Sequence, residues 1–219
     1  MAGYDVLTRA WTEGRVASND GPWQFSETEV GPTPLQQPHP PIYVAGTSEE
    51  TVRFAVERRL PHLFSLEPPE DRQFQRWREV VGMDQALAEL DRSSLARYLF
   101  IGRTTEEAHE RLDRALLTIL RRRRSQPVDV TDREAVARAR SALIAQQAIV
   151  GTPDQCVDQI ENIAREIGTG HLRLTINALG GLNSADTLEQ LELFGRVALA
   201  YCRNIVPSTG NVAGAANLL

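Results

Sequence analysis

The sequence predicts an α/β fold in which parallel strands alternate with helices. Short runs of aliphatic, β-branched and aromatic residues recur along the 219-residue chain. Each run is followed by a segment with apolar residues at helical spacing. Several of the junctions carry Ser or Thr where a helix N-cap is expected. Strands and helices that alternate in this order form a parallel sheet, since each helix returns the chain to the same end of the sheet.

The N-terminal part of the chain is predicted to contain one helix and one long loop. Residues 4–12 have helical spacing of apolar residues, and residues 18–41 are rich in Pro, Gly and Gln. Proline disfavours helical backbone in the residue before it, so we expect residues 18–41 to be irregular. A loop of this length is usually functional or covers another part of the molecule.

Two strand–helix units are expected next. The first consists of a strand over 42–45 and a helix up to Arg59, which a capping box at Thr47-x-x-Glu50 would start. The second consists of a strand over 62–66 and a helix that opens at Pro68.

The remaining units follow the same pattern. A strand is predicted over 96–101 and another over 172–176, with helices beginning after Thr104 and Thr152 and a further helix over 132–148. Four strand–helix units with inserted helices are half of an eight-fold TIM-type barrel, which usually needs about 250 residues. We therefore expect one half-barrel domain over residues 1–207 and a flexible tail over 208–219.

Composition excludes several classes of protein. The net charge is −5 and the pI is about 5.5, which argues against a nucleic-acid-binding surface. No apolar run approaches the roughly 18 residues of a membrane span, and the N-terminus lacks a signal-peptide pattern. We expect a cytoplasmic protein that binds neither nucleic acid nor membrane. Cys156 and Cys202 are expected to be reduced, packed thiols, and a redox role is the alternative.

Two further absences narrow the chemistry. The chain contains no lysine, so it has neither a Schiff-base lysine nor a phosphate-loop lysine. Its four histidines, at positions 39, 62, 109 and 171, lack the spacing of metal ligands, so we expect no metal site. His39, in the proline-rich loop, is expected to be solvated.

The segment 40–50 is the candidate functional motif. The apolar run Ile42–Ala45 leads through Gly46 directly into a predicted helix start. Such a strand–glycine–helix junction directs backbone N–H groups and hydroxyls to one point, where the helix dipole favours an anion. A phosphate site is one explanation, and an ordinary helix cap is the other.

The order of the motifs resembles that of the bacterial luciferase-like flavin monooxygenases. The proline-rich segment 31–41 and the strand after it are similar to the family's approach to its fifth barrel strand. The resemblance extends from about Trp11 to Pro207. Its other motifs are Thr47-Ser48-Glu49-Glu50-Thr51, Arg59-Leu60-Pro61, Phe64-Ser65-Leu66, Thr104-Thr105-Glu106-Glu107-Ala108 and Gly151-Thr152-Pro153-Asp154-Gln155.

This resemblance implies a TIM-type barrel that binds FMN, or F420 in some branches of the family. Such a protein uses reduced flavin and O₂ to oxygenate a small organic substrate. The resemblance places the flavin phosphate at Gly46, Thr47, Ser48 and Thr51, and the ring system at Ser65 and Leu66. Luciferase itself has a tryptophan near the ring where this chain has Leu66, so light emission is not implied. No catalytic residue is assigned.

The resemblance covers only the second half of the family's barrel. The first four strands, with a histidine near the reactive face of the flavin, have no counterpart. A half barrel would expose strand edges and an apolar face. We therefore expect a homo-oligomer or a complementary chain that supplies the N-terminal half. The alternatives are a flavin-binding or partner subunit without catalysis, and a remnant that serves as an interaction module.

Overall fold

The computed structural model describes residues 2–68, 70–82, 86, 90, 92–123, 127–169 and 171–205. The predicted tail over 208–219 lies outside them. The chain divides into two compact units, Met1–Tyr43 and Val44–Leu219.

The first unit contains a helix and an antiparallel hairpin. Helix α1 spans Ala2–Glu13, and strands β1 (Arg15–Asp20) and β2 (Trp23–Glu29) pair from Arg15↔Glu29 to Asp20↔Trp23. The prediction of a loop over 18–41 is therefore wrong for residues 18–29. The missed signal is Asp20-Gly21 at the turn, where Gly21 has a φ of +54° that favours glycine in a tight hairpin.

The second unit is built on a four-stranded sheet in which every described pair is parallel. Its strands are β3 (Leu63–Phe64), β4 (Ser94–Ile101), β5 (Ala148–Gly151) and β6 (His171–Ile176). Strand β6 pairs with one edge of β4, while β3 and β5 share the other edge. This arrangement confirms the predicted α/β fold with parallel strand–helix units.

One predicted strand and one predicted helix need correction. The strand expected over 42–45 is reduced to one parallel bridge between Val44 and His62. Pro40 and Pro41 have no N–H group for a strand ladder, which shortens any strand that follows them. Conversely, the helix expected over 132–148 ends at Gln146, and Ala148–Gly151 is a strand.

Helices connect the strands in the predicted order. Thr104 is an N-cap as expected, and Thr152 forms a complete capping box with Pro153 in the first helical position. The helices are α2 (Glu49–Glu57), α3 (Glu70–Val81), α4 (Thr105–Arg122), α5 (Arg133–Gln146), α6 (Pro153–Ile167), α7 (Ser184–Leu193) and α8 (Leu199–Cys202); a π-helical segment, Phe194–Ala198, joins the last two.

Strand β4 is buried on both faces. On one face Tyr98 and Phe100 pack among residues of α4 and α5. On the other face Leu95 packs with residues of α3, and Leu99 and Ile101 pack with residues of α6. A strand covered on both sides is apolar at successive positions, which explains the run Leu99-Phe100-Ile101.

A buried arginine ties α4 to α7 and to the end of β4. Arg111 is 1% exposed and donates from Nη1 to the Ile101 carbonyl. Its Nη2 lies 2.6 Å from a carboxylate oxygen of Glu107 and 2.6 Å from one of Glu189. The guanidinium thus compensates two carboxylates and one strand-end carbonyl at once.

We expect Arg111→Ala to lower the free energy of unfolding by about 3 kcal/mol, because it removes charged hydrogen bonds and leaves a buried carbonyl unpaired. Arg114→Ala is the matched control on the same helix, since Arg114 is half exposed and its one described ion pair, with Asp186, spans 3.3 Å. The control should cost less than about 1 kcal/mol. Urea unfolding measures both, and equal losses would contradict the role given to Arg111.

A buried histidine makes stability depend on pH. His62 is 0% exposed, and its ring centroid lies 4.7 Å from that of Phe64 and 4.9 Å from that of Trp77. Within the described chain neither ring nitrogen has a hydrogen-bond partner. Burial, with a smaller effect of the Arg173 charge, lowers the pKa of His62 from 6.5 to about 4.

Unfolding exposes His62 and restores its ordinary pKa, so between about pH 4 and 6.5 the unfolded state binds the additional proton. The stabilisation is complete above pH 6.5 and is lost as the pH falls toward 4. We expect the free energy of unfolding to decrease by about 3 kcal/mol over this window. His62→Leu should remove most of that pH dependence. If the free energy of unfolding of His62→Leu depends on pH as strongly as that of the unsubstituted chain, other groups cause the pH dependence.

Candidate functional site

The two segments predicted to bind a flavin lie side by side. Val44 N–H donates to the Pro61 carbonyl at 2.9 Å, and Leu63 N–H donates to the Val44 carbonyl at 2.8 Å. Gly46 follows Val44 by two residues, and Ser65 follows Leu63 by two residues. Since the two backbones run parallel, both segments leave the same end of the sheet. Ligands of parallel α/β folds bind at the carboxyl ends of the strands.

The predicted phosphate segment forms a small cradle of hydroxyl groups at the start of α2. Ser48 is the N-cap, and the Thr51 N–H donates to Ser48 Oγ at 3.2 Å. Ser48 Oγ and Thr51 Oγ1 lie 2.8 Å apart. The cap is therefore one residue later than the predicted capping box, and the half-buried Thr47 does not cap the helix.

Two features favour glycine at position 46: a positive φ angle and the close approach of the Thr51 side chain. The φ of Gly46 is +132°, and a Cβ placed there would lie 3.1 Å from Thr51 Cγ2. A side chain would therefore fill the cradle beside the two hydroxyls. The N–H groups of the first helical turn have no acceptor within the helix, and the helix dipole adds partial positive charge at this point. An oxyanion such as a phosphate group fits these donors.

The first turn of α2, beside the cradle, carries two carboxylates, Glu49 and Glu50. Glu49 lies in the first turn of the helix, and its carboxylate is 2.9 Å from Arg53 Nη2 one turn later. This exposed pair offsets part of the negative charge next to Ser48.

The predicted ring segment is held by a buried glutamine. Gln73 of α3 is 1% exposed, and its Oε1 accepts from the Ser65 N–H at 3.1 Å. Its Nε2 donates to the carbonyls of Ser65 at 2.7 Å and Pro68 at 2.6 Å. These three bonds fix the backbone that follows β3.

Leu66 is fixed from another direction. Its carbonyl accepts from Gln147 Nε2, and Gln147 Oε1 in turn accepts from Arg123 Nη2. Arg123 Nε lies 3.7 Å from the Glu67 carboxylate. Burial, followed by the Glu67 charge, raises the pKa of the nearby Tyr98.

Arg173 is a polar residue near this segment that the motifs did not identify. It lies on β6 opposite Ala96, and its side chain crosses β4. Nε donates to Ser94 Oγ and Nη2 donates to the Phe64 carbonyl, each at 2.9 Å. The guanidinium therefore lies next to the residue that precedes Ser65. The signal in the sequence is the alternation of His171, Arg173 and Thr175 with apolar residues, which marks a polar face of the strand.

Other candidate residues lie elsewhere or are chemically inert. His39 is half-buried, with its ring centroid 6.0 Å from that of Trp11, so the expectation of a solvated side chain is wrong. Burial raises the pKa of Cys156 to about 12, which keeps it a thiol. The described residues contain no group of three or more metal-ligating side chains, and none of their helices is long and apolar enough to cross a membrane.

Comparison with known proteins identifies the family. A sequence profile described as luciferase-like monooxygenase matches residues 3–171. The chain belongs to this family. Over 62 residues it is 36% identical to the alkanal monooxygenase alpha chain of the Kryptophanaron alfredi symbiont, an alignment that covers 28% of this chain and 17% of that one.

Solved structures of luciferase-like proteins share the fold. The coenzyme F420-dependent tetrahydromethanopterin reductase of Methanopyrus kandleri superposes with a TM-score of 0.61 at 18% identity. The oxygenating constituent of 3,6-diketocamphane monooxygenase of Pseudomonas putida, in complex with FMN, superposes with a TM-score of 0.56 at 17% identity. The matches cover 90% and 93% of this chain, but 61% and 62% of those two proteins. The chain therefore spans less than two thirds of the length of its structural relatives.

We expect Gln73→Ala to lower the free energy of unfolding by about 2 kcal/mol, because it leaves three partly buried backbone groups of Ser65 and Pro68 without their partner. Gln75→Ala is the control on the same helix, since the exposed Gln75 bonds only to Glu79 in the described contacts. Thermal unfolding measures both variants. If they are equally stable, Gln73 does not hold the ring segment.

Proposed function

We propose that this chain binds FMN and takes part in oxygenating a small organic substrate with reduced flavin and O₂. The observation that carries the proposal is the cradle of Gly46, Ser48 and Thr51 beside the rigid Ser65–Leu66 segment, at the carboxyl ends of parallel strands. Membership of a monooxygenase family supports the reaction class.

Each residue of the site has a defined part in the proposal. One of the Ser48 and Thr51 hydroxyls donates to the other, and the remaining hydroxyl proton of the pair and the first N–H groups of α2 donate to the terminal phosphate. The absent side chain of Gly46 leaves room for it. The half-buried Thr47 borders the cradle, and Ser65 and Leu66 lie against the ring system. When bound, the flavin supplies the electrons that activate O₂.

FMN is the proposed cofactor, and F420 is the alternative. One structural relative is described in complex with FMN and another as F420-dependent. We favour FMN because the hydroxyl cradle has the residues of the luciferase-like phosphate segment.

The proposed active form contains a second set of strands. Strand β6 pairs along one edge with β4, and no described strand pairs with its other edge. We propose that a second copy or a complementary half-barrel chain covers this edge, and that the assembly is cytoplasmic. The alternative is a flavin-binding or partner subunit without catalysis.

The phosphate assignment is tested by titrating FMN into the 219-residue chain while following flavin fluorescence. Each of Ser48→Ala and Thr51→Ala should weaken binding about tenfold, because each disrupts the pair of hydroxyls that donates to the charged phosphate. Thr104→Ala is a matched control, since Thr104 caps α4 through a hydrogen bond of the same 3.2 Å length that Ser48 makes in α2.

The control separates loss of a helix cap from loss of a ligand contact. The caps formed by Ser48 and Thr104 stabilise the fold by a similar amount, but only the α2 hydroxyls should affect FMN affinity. If all the variants bind FMN with the same affinity, the assignment of the phosphate site to this cradle is wrong.

A further inference from the structure

We propose that Arg173 is a ligand contact that makes the site prefer the reduced, anionic flavin ring over the oxidised, neutral ring. The inference rests on the proposed function, and it assigns to this chain a residue that controls the redox state of its cofactor.

The first argument is position. The Arg173 side chain extends from β6 across β4 and reaches the Phe64 carbonyl of β3. The next two residues after Phe64 are Ser65 and Leu66, the predicted ring segment. The hydrogen bonds to Ser94 Oγ and to the Phe64 carbonyl hold the guanidinium in one orientation. A fixed cation therefore lies beside the place assigned to the ring.

The second argument is charge. Other arginines in the second unit lie close to carboxylates. Arg97 contacts Glu70 at 2.5 Å, Arg111 contacts Glu107 at 2.6 Å, and Arg123 lies 3.7 Å from Glu67. In the described part of the chain Arg173 has no carboxylate partner, and its pKa is lowered by burial alone. Its two hydrogen bonds are to neutral acceptors, which leave the positive charge uncompensated and most of its five N–H groups available.

The third argument is chemical fit. The reduced isoalloxazine ring is an anion at neutral pH, with its negative charge delocalised over a planar nitrogen and carbonyl edge. A planar guanidinium matches such an edge better than a point charge does. The phosphate is present in both redox states, so the Ser48–Thr51 cradle contributes to both affinities equally. A charge at the ring, by contrast, changes their ratio, because it interacts more favourably with the anionic form than with the neutral form.

The competing explanation is that Arg173 only joins three strands. That role predicts lower stability on substitution and no effect on the ratio of the two affinities. A charge-based role predicts a change in the ratio that Arg173→Lys partly restores.

The test measures dissociation constants for oxidised FMN and, under anaerobic conditions, for reduced FMN, together with the midpoint potential of the bound flavin. Arg173→Gln should reduce the preference for reduced FMN about tenfold, which lowers the two-electron potential by about 30 mV. Arg173→Lys should recover part of the shift. Arg114→Gln, a change of the same charge on α4, should leave the ratio unchanged.

Ser48→Ala distinguishes the two proposals. If it weakens both redox states while Arg173→Gln leaves their ratio unchanged, the role of Arg173 is overturned and the phosphate site stands. If the unsubstituted chain binds neither form of FMN, both proposals fail. A changed ratio in Arg173→Gln with unchanged thermal stability supports the ring contact directly.

Discussion

Strand β4 is the element on which the whole second unit depends. Every other strand of the four-stranded sheet pairs with it, and helices cover both of its faces. Because β3 and β6 lie on opposite edges of the same stretch, Ser94–Leu95, the side chain of Arg173 can reach the Phe64 carbonyl across one intervening strand. The register of β4 thus decides which residues of β3 and β6 meet.

The pairing of strands in this sheet also fixes the positions of the two segments that form the candidate site. The Val44–His62 bridge is short, yet its two backbone hydrogen bonds bring the start of α2 beside the segment after β3. Two glutamines from separate elements, Gln73 and Gln147, then fix the carbonyls of Ser65 and Leu66. Rigid backbone next to an exposed hydroxyl cradle is the arrangement that lets a scaffold position a cofactor without large side-chain movements.

Local rules predicted the elements whose signals are local. The caps at Thr104 and Thr152 and the parallel order of the strands follow from short motifs and from the alternation of periods. Strand Ala148–Gly151 was missed because its apolar residues continue the helical pattern before it, and only its pairing with β4 decides the outcome. The hairpin turn at Gly21 had a clear local signal, which the abundance of proline and glycine around it obscured.

The sequence could propose site residues that lie in one continuous segment, but not residues that only the fold brings together. Ser48, Thr51, Ser65 and Leu66 lie in continuous motifs. Of the residues that position them, Gln73 lies eight residues from Ser65 and Gln147 lies 81 residues from Leu66. A glutamine in a predicted helix resembles any surface residue until its burial is known. Arg173 is the extreme case, because its importance depends on a strand register and on the lack of a described carboxylate partner. The proposed phosphate cradle can therefore be read from one motif, whereas the proposed role of Arg173 can be recognised only once the pairing of the strands is known.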